Sequence, residues 1–354
     1  MERPARARNI GLACGRIPAG ALNSIADVPG VRVGHRTLAE GGIRTGVTAV
    51  LPHGGNLYRE KPVAAVHVLN GFGKSAGLMQ VEELGVLETP ILLTNTLSVG
   101  TCCTALVRHA IAHNPDIGRQ TATVNPVVME CNDGFLNDIQ ALAVTEHDAR
   151  AALDEAFSHV EVGSVGAGCG MSAFGFKGGI GTSSRRIELD QESFHLGVLV
   201  LSNFGRPGDL RLPDGRFVGP PVAQAGEEAA EKGSIIVIAA TNIPLSNRQL
   251  ERVLRRTGVG LARLGSFWGH GSGDIALGFT TGTILRHDEK VALVDVRILN
   301  ESRIDLLFEA MADATQEAVL DALVAAGPMT GRDGHHRPSL ADILETLLPK
   351  ARTS

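Results

Sequence analysis

A layered α/β or α+β fold is predicted for this chain, on three observations. Short apolar runs of strand type recur along the 354 residues. Helix patterns with readable starts lie between them. The two kinds of segment alternate without clean βαβ periodicity, so mixed layers are expected rather than a doubly wound parallel sheet.

The apolar runs cover residues 46–51, 63–69, 91–94, 197–201, 234–240, 274–280 and 291–298. Several are uninterrupted, as expected for strands covered on both faces. The segment around Lys74 reads as a strand-to-helix turn that opens a helix. Thr145 stands three residues before Asp148, ahead of an Ala/Leu-rich stretch reaching about Phe157. Ser246 stands three before Gln249, with Leu250, Val253 and Leu254 on one face. Ser302 stands three before Asp305 and leads a long amphipathic helix ending at Gly327-Pro328. These are capping-box spacings, in which side chains satisfy the free N–H groups of a helix start. Residues 226–232 (GEEAAEK) form a further charged, helix-like stretch. No repeat, low-complexity tract or linker interrupts the pattern, so one domain over 1–354 is expected.

Composition narrows the function classes. Net charge is -5, with no long block of either sign, so neither a nucleic-acid partner nor an anionic membrane surface is indicated. The longest apolar runs are too short to span a bilayer. The basic start is not followed by an apolar segment, so a secretory signal is not expected. Cys14, Cys102, Cys103, Cys131 and Cys169 form no C-x-x-C pair, and reduced thiols in a cytoplasmic protein are expected. The 43 glycines exceed the usual share of about 7%. They imply tight turns or backbone lying close to a ligand. The twelve histidines show neither H-E-x-x-H nor H-x-H spacing. No metal and no cofactor is assigned.

The junction Gly233-Ser234 separates the charged stretch from the apolar run 235–240. Ser234 is therefore the first residue of a buried strand. Cutting the bond before it would make Ser234 a terminus that carries a nucleophilic hydroxyl and its own general base. The α-amine has a reference pKa of roughly 7.7–8.0, so a useful fraction is neutral near pH 7. The alternative is an ordinary loop-to-strand junction.

Four other segments are candidates. In NGFGKS (70–75), Gly-Lys-Ser suggests a phosphate loop, but the required earlier Gly is Val68, so a structural turn is the better reading. Residues 163–181 hold Gly166, Gly168 and Gly170, but Met171 stands where a dinucleotide loop needs its third Gly. Tightly folded backbone, beside a pocket or purely structural, is expected there. ECNDGFLND (130–138) sets Glu130 at the end of an apolar segment, as a cation-holding pocket or a solvated turn. GSFWGHGSGD (265–274) contains the only Trp, Trp268, with His270, Ser272 and Asp274. Ser272 is not in a G-x-S-x-G elbow, and on a strand Ser272 and Asp274 would share a face.

Together these segments resemble the self-cleaving aminopeptidases: L-aminopeptidase/D-esterase (DmpA-like) and the β-peptidyl aminopeptidases. The resemblance runs through LNSIADVPGVRVGH (22–35), LTNTLSVGT (93–101), ECNDGFLND, LVLSNFG (199–205), GSIIV (233–237), GSGDI (271–275) and MTGRDGH (329–335). It implies a four-layer αββα sandwich of the DmpA/ornithine-acetyltransferase type. It implies cleavage between Gly233 and Ser234, giving an α-subunit 1–233 and a β-subunit 234–354. Ser234 would be the nucleophile, and Ser272 and Asp274, 38 and 40 residues on, would tune it. Asn203 would stabilise the oxyanion. Glu130, Phe135 and Trp268 would contact substrate, with Glu130 holding its free amine. The substrate would be a short peptide, amide or ester, and αβ units would assemble into a homo-oligomer. One departure stands out: Phe135 occupies the place of a family Tyr, and the only Tyr is Tyr58. Two alternatives are an acyltransferase related to ornithine acetyltransferase, whose nucleophile is Thr, and an uncleaved small-ligand-binding protein.

Overall fold

The computed structural model describes residues 6–220 and 232–347. Its strands are β1 (Arg32–Leu38), β2 (Thr45–Leu51), β3 (Glu60–Gly71), β4 (Ile91–Asn95), β5 (Val127–Cys131), β6 (Ser172–Ala173), β7 (Phe176–Lys177), β8 (Gly179–Leu189), β9 (Glu192–Asn203), β10 (Leu210–Arg211), β11 (Phe217–Val218), β12 (Lys232–Thr241), β13 (Gly271–Arg286), β14 (Met329–Thr330) and β15 (His336–Arg337). The helices are α1 (Leu78–Leu84), α2 (Val99–His113), α3 (Glu146–Asp154), α4 (Asn247–Leu254), α5 (Thr257–Arg263), α6 (Asp305–Ala325) and α7 (Leu340–Leu347).

Two sheets stack face to face. One has the order β1-β2-β4-β5, the other β3-β13-β12-β9-β8. Val50, Ile91, Leu93, Val127 and Met129 of the first meet Leu199, Leu201, Ile236, Ile238, Leu277 and Phe279 of the second. On the far side of the larger sheet, Ile235, Val237 and Ala239 pack with Leu250, Leu254, Leu261, Met311 and Ala314 of α4, α5 and α6. On the far side of the smaller sheet, Val47, Ala49, Leu92 and Val128 pack with α2 and α3 through Leu106, Ala149 and Ala152. The result is an αββα sandwich. Alternate residues of β12 enter different cores, which is why its run is apolar without a break.

Long α6 lies on β8 and β9 with Glu317 and Asp321 on its buried side. Glu317 pairs with fully buried Arg185 at 3.0 Å and with Arg8 at 2.7 Å. Asp321 pairs with Arg6 at 2.7 Å. These ion pairs tie the basic start of the chain to the helix that covers the larger sheet.

Two expected helix starts hold, with Thr145 and Ser246 each completing a reciprocal capping box. Other expectations are corrected. Residues 291–298 form no strand: Val291, Leu293, Val294, Val296 and Ile298 are exposed on an irregular segment. Ser302 does not cap α6. Asn300 takes that role for a 3₁₀ turn, Glu301–Arg303, that runs directly into the helix. Helix α3 stops at Asp154, because Phe157 turns back to bond Val33 at 2.9 Å. Lys74 does not open a helix; Ala76 first bridges to Val128, and α1 begins after Gly77, whose φ is 85°. The helix-like stretch 226–231 lies outside the described residues, and Lys232 already belongs to β12.

Candidate active site

The topology brings several chain ends to one edge of the sandwich. Strands β12 and β13 are parallel, so both begin there, with Gly233 beside Ser272 and Ser234 beside Gly273. Antiparallel β9 ends there, with Asn203 opposite Ser234. In the other sheet, β4 and β5 are parallel and end there, with Thr94 beside Glu130. A cavity of about 920 Å³ opens between these ends. Its lining includes Ser234, Asn203, Glu130, Phe135, Lys74 and Arg337.

Ser234 is buried, and its Oγ accepts the Gly273 N–H at 3.2 Å. Gly233 has φ 119°, and a Cβ there would lie 2.1 Å from the Asn203 carbonyl oxygen. Only glycine fits this backbone against β9. On β13, Ser272 and Asp274 are fully buried on one face, and the Ser272 hydroxyl donates to Asp274 Oδ1 at 2.7 Å.

The Asn203 carboxamide is held at both ends. Its Oδ1 accepts the Ser172 N–H at 2.9 Å, and its Nδ2 donates to the Asn132 carbonyl at 3.0 Å. One Nδ2–H remains for another acceptor. Cys131 lies behind Ser234, its thiol donating to the Ser234 carbonyl at 3.4 Å. Burial pushes that thiol well above its ordinary pKa, so it stays protonated and uncharged.

Glu130 is buried at the end of β5. Its Oε1 accepts the Lys74 N–H at 2.8 Å, and its Oε2 accepts the Thr96 hydroxyl. Among the described residues no cationic side chain pairs with this carboxylate. A buried carboxylate of this kind favours a cation brought from outside. The backbone of the NGFGKS turn serves Glu130.

Phe135 stacks on His335 with ring centroids 4.7 Å apart, while the Arg337 guanidinium covers the ring at 3.7 Å. Arg332 Nε donates to the Gly134 carbonyl at 2.8 Å, so the segment 331–337 pins the turn that carries Phe135. Trp268 is not brought to the cavity. Its ring packs towards α5, where a Cβ on Gly258 would lie 3.1 Å from Trp268 Cζ2, and it joins the core under the helices. Its backbone φ of 55° turns the loop before β13. The glycine-rich segment 163–181 folds tightly beside the site and includes the β6–β7 ribbon with Ser172.

Sequence reasoning missed Lys74, Thr96, Ser172 and Arg337. Lys74 and Ser172 act through backbone N–H groups, which carry no side-chain signature. Among the described residues, no group of three or more His, Cys, Asp or Glu could hold a metal ion. No helix among them is long and apolar enough to cross a membrane.

The αββα sandwich with a buried serine near the start of a central strand places the chain in a layered α/β class of fold. The profile of peptidase family S58 matches residues 23–337, and the chain belongs to that family of aminopeptidases. It is 38% identical to the beta-peptidyl aminopeptidase BapA of Sphingosinicella microcystinivorans, over 93% of this chain and 88% of that one. The PH0078 protein of Pyrococcus horikoshii OT3 superposes with a TM-score of 0.90 at 45% identity, covering 96% of this chain and 98% of that one. The L-aminopeptidase D-Ala-esterase/amidase of Ochrobactrum anthropi, described as a variant of the Ntn hydrolase fold, gives 0.87 at 36% identity, covering 97% and 98%.

Proposed function

We propose that this aminopeptidase cuts its own chain between Gly233 and Ser234 and then uses Ser234 as an N-terminal nucleophile. The observation that carries the reading is the place of Ser234: buried on the first turn of β12, facing the cavity, with Asn203 on one side and Ser272–Asp274 on the other. Cleavage gives the subunits 1–233 and 234–354.

In the reaction, Ser234 Oγ attacks the substrate carbonyl and its proton passes to the Ser234 α-amine. Asn203 offers its remaining Nδ2–H to the negative charge on the carbonyl oxygen. The protonated amine returns its proton to the leaving group, and water then hydrolyses the ester on Ser234. Glu130 holds the substrate's free ammonium, which restricts the enzyme to N-terminal residues. Phe135 bounds the cavity beside it. The names of the relatives support short peptides, amides and esters, including β-peptides, as substrates. Five free thiols support a reducing, cytoplasmic setting, and αβ units are proposed to assemble into a homo-oligomer.

The test is the mass of the purified protein beside Ser234→Ala. Two fragments meeting at Gly233/Ser234 in the wild type and one chain in the variant are expected. A single 37.1 kDa chain in both would overturn the reading.

A further inference from the structure

Lys177 has no place in the reaction as written, yet it lies at the base of the site. It is fully buried and forms no ion pair among the described residues. Its ammonium donates to three backbone carbonyls instead: Gly168 at 2.9 Å, Met171 at 3.0 Å and Gly178 at 2.8 Å. All three belong to the glycine-rich segment. In the β6–β7 ribbon Lys177 is the direct cross-strand partner of Ser172. Met171, one of its three acceptors, immediately precedes Ser172. The Ser172 N–H is the donor that holds Asn203 Oδ1.

We propose that Lys177 is a positioning residue for catalysis: by gathering the Gly168, Met171 and Gly178 carbonyls, it fixes the Ser172 N–H and thereby the direction in which Asn203 presents its remaining N–H. A carboxamide can rotate about its last bond, and a hydrogen bond to Oδ1 opposes that rotation. The other grip on the amide comes from Asn132, next to Asp133, the buried carboxylate that faces Lys177 across the segment. The inference rests on the reading of Asn203 as the oxyanion donor. The charge is held at a cost. Burial lowers the Lys177 pKa to about 7, and the titratable groups facing it are Cys169 and Asp133.

The experiment is steady-state kinetics on the cleaved enzyme with an amino-acid p-nitroanilide, for Lys177→Met, Asn203→Ala and the double variant. Asn203 acts in the transition state, so Lys177→Met is expected to lower kcat about 10–100-fold with KM little changed, less than the roughly 10²–10³ expected for losing the oxyanion donor itself. The double variant is expected to be no slower than Asn203→Ala alone, because both changes remove one interaction. A wild-type kcat in Lys177→Met, or losses that multiply in the double variant, would overturn the inference. A wild-type kcat in Asn203→Ala overturns the oxyanion reading beneath it. Lys177→Gln, which keeps two donors, is expected to recover part of the rate. Should neither Lys177 variant fold, the wild type decides. Its kcat is expected to fall as pH rises through about 7, where Lys177 loses its charge, and a kcat without that fall counts against Lys177.

Discussion

Ser272 gives its hydroxyl proton to Asp274, two residues along the same face of β13, at 2.7 Å and out of contact with water. That direction matters. With its proton committed, Ser272 Oγ has lone pairs free to accept from a neighbouring donor, and Gly233-Ser234 lies alongside. An ammonium on Ser234 would meet an oriented acceptor backed by a carboxylate. Removing that negative charge favours the neutral amine. Asp274→Asn is therefore expected to move the acid limb of kcat/KM to lower pH while lowering kcat. The measurement is a pH–rate profile of the cleaved variant, and an acid limb that stays in place speaks against the pairing.

Glu130 is buried, with both oxygens occupied by neutral donors. Glu130→Gln keeps the shape but removes the charge that an incoming ammonium meets. Losing one side of a buried charge pair costs about 2–5 kcal/mol. The expected result is a matching fall in kcat/KM for a p-nitroanilide with a free amine, while self-cleavage, which involves no substrate ammonium, persists. Equal kcat/KM in variant and wild type would remove Glu130 from amine recognition.

Phe135 lies between His335 and Arg337 at the cavity wall. The ring offers no donor, where the resemblance read from the sequence implies a tyrosine hydroxyl. Phe135→Tyr is expected to raise kcat on a p-nitroanilide, by less than the roughly 10²–10³ that separates an oxyanion hole with a donor from one without. Stacking on His335 should survive the added hydroxyl. An unchanged or lower rate would show that the oxyanion lies elsewhere.

His35 on β1 bonds Thr48 on β2 at 2.9 Å, and burial lowers its pKa to about 4 from 6.5. Between those values the unfolded chain binds more protons than the folded one. Stability is thus present above 6.5 and lost as pH falls through about 4. Asp133, raised to about 6 by burial, works in the opposite sense, so the comparison is made between His35→Gln and the wild type. The variant is expected to lose less stability on acidification, by up to about 3 kcal/mol. Chemical denaturation at several pH values checks this, and parallel curves would refute it.

The strands buried on both faces were readable because burial leaves no polar position in the run, as in 235–240. Capping at Thr145 and Ser246 was readable because the reciprocal bonds need specific side chains at a fixed spacing. Residues 291–298 misled because an alternating apolar pattern says nothing of whether a neighbouring strand is present. Ser302 misled because its own N–H and hydroxyl are taken by Asn300, which caps the 3₁₀ turn leading into the helix. At the site, Ser234, Asn203 and Glu130 carried side-chain chemistry that the sequence could display. The N–H groups of Ser172, Lys74 and Gly273 did not, since any residue supplies one. Trp268 drew attention by its rarity, but a large ring in a loop finds the nearest core, here the one under α5.

The strand order of the larger sheet has a further consequence for the cut protein. Strands β3, β9 and β8 come from before Gly233, and β13 and β12 from after it, yet they alternate in one sheet. Neither fragment owns the larger sheet. Under the proposed scission the halves would stay together through two backbone ladders and the cores on either side, with no peptide link between them. Unfolding of the mature enzyme then becomes a dissociation. Recovery from denaturant would require two molecules to find each other, so its yield would depend on concentration, whereas the uncut Ser234→Ala chain would refold alone. Self-cleavage as proposed would turn a fold reached once, as a single chain, into one that its products inherit.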